Sequence, residues 1–188
     1  MLTCEFLNEC LSYNPENGDF HWKVRPLHHF KDERVFKIWN TKYSLKKTGS
    51  LNTVTGYMSI VIGGRNISLH RAAFIMTYGY APVLVDHING VKTDNRLCNL
   101  REATVSQNQM NRDNQCNNSS GFKGVNKYRN GLWRARIQVN RKVKHLGYFK
   151  EKSAAIAAYR EAAKIYHGEF AFSAGFRKVR KEATHIVK

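Results

Sequence analysis

The apolar positions of this 188-residue chain change period several times, and each change predicts an element. Phe6, Leu7, Cys10 and Leu11 fall at helical spacing, so a helix is expected over about residues 3–11. NPENGDFHW (14–22) reads as a turn entering a strand. GYMSIVI (56–62) and NISLHR (66–71) flank Gly63–Gly64, a two-glycine hairpin signal. AAFIMTYG (72–79) returns to a short helix closed by Gly79. Residues 84–100 predict a short hairpin with a long loop, and SQNQMNR (106–112) a short helix with Ser106 as its N-cap.

The C-terminal part is more regular. FKGVNKYR, LWRARIQVN and KVKHLGYF are three strand candidates, joined at Asn130–Gly131 and at Asn140–Arg141. SAAIAAYREAAKIYHG (153–168) is an Ala-rich helix with Gly168 at its end, and its alanines allow close approach to the sheet. Between the two halves, NRDNQCNNSSG (111–121) holds no aliphatic residue and has the composition of a linker, with a boundary near residue 116. The fold class expected is α+β. An N-terminal extension over 1–55 packs on a hairpin-and-helix domain over 56–115. A linker over 116–121 leads to a three-stranded antiparallel sheet with one helix over 122–175, and a basic tail fills 176–188.

Composition changes this picture mainly through charge. A hydrophobic fraction of 42%, with 12% aromatic, excludes a disordered chain. The net charge is +17, and it is uneven: residues 112–188 carry 18 Lys/Arg against 5 Asp/Glu, a net of +13, and residues 1–111 a net of +4. So large a charge calls for a polyanionic partner. There is no run of about 18 apolar residues, so no transmembrane helix and no membrane partner are expected. The N-terminus lacks a basic stretch followed by an apolar one, so no signal peptide is expected. Cys4, Cys10, Cys98 and Cys116 form no C-x-x-C pair, which argues against a zinc ribbon and a disulfide framework. They read as reduced thiols of a cytoplasmic protein.

The chemical candidates are Asp86, His87, Asn99 and Asn108 in VDHINGVKTDNRLCNLREATVSQNQMNR (85–112). Phosphodiester hydrolysis needs an activated water and relief of negative charge on the phosphate. A neutral imidazole accepts a proton near pH 7. A carboxylate and a carboxamide oxygen suit a hard divalent cation. Adjacent residues of an extended strand point to opposite faces, so Asp86 and His87 can do different work. The same letters also make a plain polar loop, because Asn, Asp and Gly are turn formers.

The leading LHR (69–71), the DHING core, the NL dipeptide (99–100) and the SQNQMN tail together resemble the HNH homing-type endonucleases common in phages, over about residues 56–112. The resemblance implies a ββα-metal fold with a hairpin carrying Asp86 and His87 and a helix carrying Asn108. It implies His87 as general base and Asn99 as the brace that orients it, the two catalytic positions. It implies Asp86 and Asn108 as ligands of one Mg²⁺ or Mn²⁺. The last position of the motif is often His. Asn108 stands there in this chain, which favours an oxygen-binding metal over zinc. Arg71, Arg96 and Arg101 are candidate phosphate contacts. His70, placed before the helix, is either structural or near the phosphate. Asn89 and Asn95 read as turn residues, and Cys98 as a buried small hydrophobe.

In LWRARIQVN, Trp133, Ala135, Ile137 and Val139 alternate with Arg134, Arg136, Gln138 and Asn140. One face meets the helix, and the other presents a row suited to base edges in a major groove. Gly124–Val125, W-x-A-x-I at 133–137, LGYF at 146–149 and AYREAA at 158–163 resemble the Apetala-two DNA-binding domain of plant ethylene-response factors, over about residues 120–173. The resemblance implies a DNA face holding Lys123, Asn126, Tyr128, Arg134, Arg136, Gln138 and His145. Arg160 stands where that family usually has Asp, and Val143 where a basic residue is common, so sequence preference does not carry over.

The reading that results is a metal-dependent DNA endonuclease, nicking as a monomer or cutting both strands as a homodimer, with the C-terminal sheet as targeting domain. If phage-encoded, it works in the host bacterial cytoplasm. The rivals are a non-catalytic DNA-binding regulator with a decayed nuclease module, and an RNA-binding protein.

Overall fold

A computed structural model describes residues 3–111 and 120–171. Most of the expected 116–121 linker, Cys116 and the 176–188 tail lie outside the described residues. The chain divides into two compact units, Met1–Asn108 and Gln109–Lys188. Among the described residues its class is mixed: small antiparallel sheets and five α-helices. No helix among the described residues is long and apolar enough to cross a membrane.

The first unit opens with α1 (Cys4–Cys10), capped by the Thr3 hydroxyl, which accepts from Phe6 N. Strands β1 (Leu11–Tyr13) and β2 (Phe20–Trp22) follow, then α2 (Glu33–Tyr43), β3 (Lys47–Thr48) and β4 (Ser50–Leu51). The glycine-turned hairpin is β5 (Met58–Ile62) with β6 (Arg65–Ser68). It leads directly into α3 (Leu69–Tyr78), which Gly79 closes in the left-handed region. A second hairpin pairs β7 (Leu84–His87) with β8 (Leu100–Ala103), and α4 (Val105–Asn111) follows after one residue.

Leu7, Cys10, Leu11 and Phe20 share one core with Ile60, Ile67, Leu69, Phe74, Val85 and Leu100. Residues from α1 to β2 therefore contribute to the same core as the β7–β8 hairpin. Two expectations change here. The helix α3 starts at Leu69, so LHR (69–71) belongs to it, and His70 is buried in its first turn. The cap of α4 is Thr104 rather than Ser106: Thr104 Oγ1 accepts from Gln107 N, and Gln107 Oε1 accepts from Thr104 N. Ser106 lies inside the helix. This reciprocal pair satisfies two amide groups at once, which a cap two residues later does not.

In the second unit β9 (Val125–Lys127), β10 (Trp133–Val139) and β11 (Lys142–Phe149) form an antiparallel sheet in the order β11-β10-β9. Helix α5 (Lys152–His167) covers one face. Ala135, Ile137 and Val125 pack against Ala155, Ala162 and Ala163, the small residues bringing helix and sheet close. Asn140 and Arg141 both take positive φ in the β10–β11 turn, as a two-residue turn of this hand requires. Gly124 lies so near the Tyr159 ring and the Arg136 carbonyl that no Cβ fits there, and its own carbonyl accepts from Arg136 N at 2.8 Å.

Candidate active site

The β7–β8 hairpin sorts its two chemical side chains by strand alternation. Asp86 is paired across the ladder with Arg101. Arg101 Nε and Nη2 donate to the same Asp86 oxygen, Oδ2, at 3.0 and 2.9 Å. Arg101 was expected at phosphate. Its side chain is 13% exposed, and it serves Asp86, because a buried carboxylate requires a partner. His87 faces the opposite way. Its ring stacks on Tyr57 at 5.7 Å and tilts against His70 at 5.0 Å. Its Nε2 lies 3.4 Å from Asn95 Oδ1.

Asp86 and His87 are both buried, at 6% and 4% exposure. Burial pushes the His87 imidazole below its usual range, against raising contributions from Asn95, Asp86 and Asp94; Lys92 adds to the lowering. The ring is therefore neutral at pH 7, the form that accepts a proton. His70 is lowered further, to about 3, by burial and then by His87 and Arg71. Its Nδ1 has no hydrogen-bond partner among the described residues.

Asn99 closes the loop between the two strands. Its main-chain oxygen accepts from Ile88 N, its Oδ1 from Asn89 N, both at 2.9 Å, and its Nδ2 donates to Asp94 O at 2.8 Å. Asn89 is an exposed turn former, its Oδ1 accepting from Val91 N. Asn95 is not: it is buried and aimed at His87, and as a turn former it gave no sequence signal of that placement. Cys98, expected inside, is exposed, because the single 3-10 turn Leu97–Asn99 points it out while Asn99 points in. Asn108 sits half-buried on α4, the next element after β8.

The other expected phosphate contacts have protein partners too. Arg71 Nη1 donates to Val83 O at 3.2 Å. Arg96 makes a two-pronged pair with Asp94, Nε to Oδ1 at 2.8 Å and Nη2 to Oδ2 at 2.7 Å. That pair holds Asp94 at about 2.

Apart from Tyr57, these residues fall within one matched stretch. Residues 68–110 match the family model of the HNH endonuclease. The HNH stretch takes in His70, Asp86, His87, Asn99 and Asn108, and it supports a nuclease acting on DNA. No curated protein and no solved structure matches the chain. HNH nucleases are generally dependent on a divalent metal, and Asp86 and Asn108 offer the hard oxygen donors such an ion takes. A separate group, Glu9, His28 and His29, brings ligand atoms within 4.8 Å of one another. There Arg25 Nε donates to His29 Nδ1, which leaves the proton on Nε2, 2.7 Å from Glu9 Oε2. That trio closes on itself by hydrogen bonds.

In the second unit, cross-strand pairing puts Asn126, Arg134, Arg136, Gln138 and His145 on one face, Arg134 opposite Asn126 and Arg136 opposite His145. A bulge between Ala135 and Arg136 absorbs Leu146, which packs into the core. Tyr128 tilts against Tyr148 at 4.6 Å, and the Arg134 guanidinium lies 5.3 Å from the Tyr128 centroid. Lys123 departs from the expected row. Its Nζ donates to Gln109 O at 3.0 Å and Met110 O at 2.6 Å, the open carbonyls of the last turn of α4.

Proposed function

We propose that the chain is a metal-dependent DNA endonuclease of the homing type found in phages. The β7–β8 hairpin and α4 act as a ββα-metal centre, and the C-terminal sheet is an Apetala-two-like targeting domain. The observation that carries the reading is the buried His87 beside Asp86 at the end of β7, in a loop closed by Asn99, within the HNH stretch. His87 takes the proton of the attacking water. Asn99 holds the loop that fixes its ring. Asp86 and Asn108 would hold one Mg²⁺ or Mn²⁺. Arg101 donates to Asp86 Oδ2, and the donor set is oxygen only. When bound, the cation relieves negative charge on the phosphate and the leaving oxygen. One such centre cleaves one strand, so a monomer nicks double-stranded DNA and a homodimer cuts both strands.

On the sheet, Arg134 is pre-oriented by Tyr128, and Arg136 and Gln138 are exposed beside it, a set that pairs with guanine and adenine edges. Supercoiled plasmid incubated with protein and Mg²⁺ tests the reading. Conversion to open circle or linear is expected, abolished by chelator and by Asp86→Ala. An intact plasmid across several divalent metals and many DNA sequences sinks it. A second reading, a DNA-binding regulator without catalysis, draws on the buried Asp86–Arg101 ion pair, which neutralises the carboxylate the metal would use. It predicts the intact plasmid together with tight DNA binding.

A further inference from the structure

We infer that Asn95 is a positioning residue for His87, held in place by the turn between β1 and β2. This rests on the reading of His87 as the base. An amide oxygen only accepts. Asn95 Oδ1 faces His87 Nε2, so that nitrogen carries the hydrogen of the neutral ring, and the lone pair is on Nδ1. Asn95 thus selects the tautomer in which Nδ1 takes the proton from water.

Asn95 could not do this from a loose loop, and three separate contacts fix its backbone from residues 11–18. Tyr13 Oη donates to Asn95 O at 2.7 Å. Leu97 N donates to Pro15 O at 2.9 Å. Gly18, at φ +77°, lies so close that a Cβ there would sit 2.7 Å from Arg96 N and the Asn95 carbonyl carbon. On the far side, Asn99 Nδ2 holds Asp94 O. Asp86 is paired with Arg101, and Asp94 with Arg96 and Asn89. Lys92 Nζ donates to Thr55 O and lies over the Tyr57 ring. The Tyr57 and His70 rings pack against the His87 ring and set its plane. The part of the chain with the weakest sequence signal therefore reaches the base through one buried amide.

The test reads the ring nitrogens directly. Full-length protein with ¹⁵N-labelled histidine is examined by long-range ¹H–¹⁵N correlation at about pH 8, where free imidazole is neutral. Wild type shows His87 with the proton on Nε2. Asn95→Asp keeps that pattern, because a carboxylate oxygen also accepts. Asn95→Leu gives mixed tautomers, and kcat for plasmid cleavage falls about 10–100-fold, as for lost supporting hydrogen bonds in other sites, while KM stays near wild type. A folded Asn95→Leu with wild-type nitrogens overturns the inference, as does loss of the tautomer in Asn95→Asp. Should Asn95→Leu fail to fold, Tyr13→Phe decides: it must shift the His87 nitrogens and lower kcat without raising KM, and an unchanged His87 overturns the inference. If wild type shows the expected tautomer but cuts no DNA, the nuclease reading has failed and the positioning of His87 stands.

Discussion

Asn99 commits every polar group it has to the loop it closes. Its amide donates to Arg96 O, its carbonyl accepts from Ile88, and its side chain bonds Asn89 and Asp94. Asn99→Ala removes the two side-chain bonds and strands their partners, at a cost of about 2 kcal/mol. Urea unfolding reads that loss, and DNA cleavage should fall with it, because the loop carries Asn95 to His87. A variant as stable as wild type would show that the loop is held elsewhere. At this scale the sequence singled out Asp86 and His87, and the structure buries both at the end of β7. It was silent where a common turn former does something else. Asn89 and Asn95 read alike, and only the fold turns one outward and the other inward.

Elements were legible wherever a period ran long enough to repeat. Both glycine and asparagine turns, the β5–β6 hairpin, the three C-terminal strands and α5 fall where the alternation puts them. Ends were less legible. The apolar run AAFIM suggested a helix from residue 72, yet α3 begins at Leu69, and that one turn carries His70 into the core against His87. This placement has a consequence for stability. The folded value of His70 is about 3, below the 6.5 of an unconstrained histidine. Below about pH 6.5 the unfolded chain takes up a proton that the folded chain refuses. Its contribution is therefore fully present above that pH and is lost progressively as pH falls towards about 3. Wild-type Tm should drop between pH 7.5 and pH 5, and His70→Phe, which keeps the ring contact, should flatten the drop. Equal slopes in the two proteins would show that His70 is not held neutral by burial.

Over the whole molecule, charge and chemistry are divided. Residues 112–188 carry most of the net positive charge, and all but the last two residues of the HNH stretch lie in the first unit. DNA affinity should fall steeply with added salt, as expected when cations on a protein replace counterions on phosphate. Arg136→Ala should cost about 1–3 kcal/mol of binding to a preferred site and narrow the gap to random DNA. A uniform loss on all sequences would make Arg136 a phosphate contact instead. Neither change should alter the chemical step, which the proposed mechanism gives to His87. The most direct measurement of the account is therefore single-turnover cleavage of saturating DNA by wild type and His87→Ala at equal Mg²⁺, with folding checked by thermal unfolding. The account predicts a rate lower by about 10²–10⁴ in the variant, the range of general-base catalysis. A folded His87→Ala that cleaves as fast as wild type contradicts it.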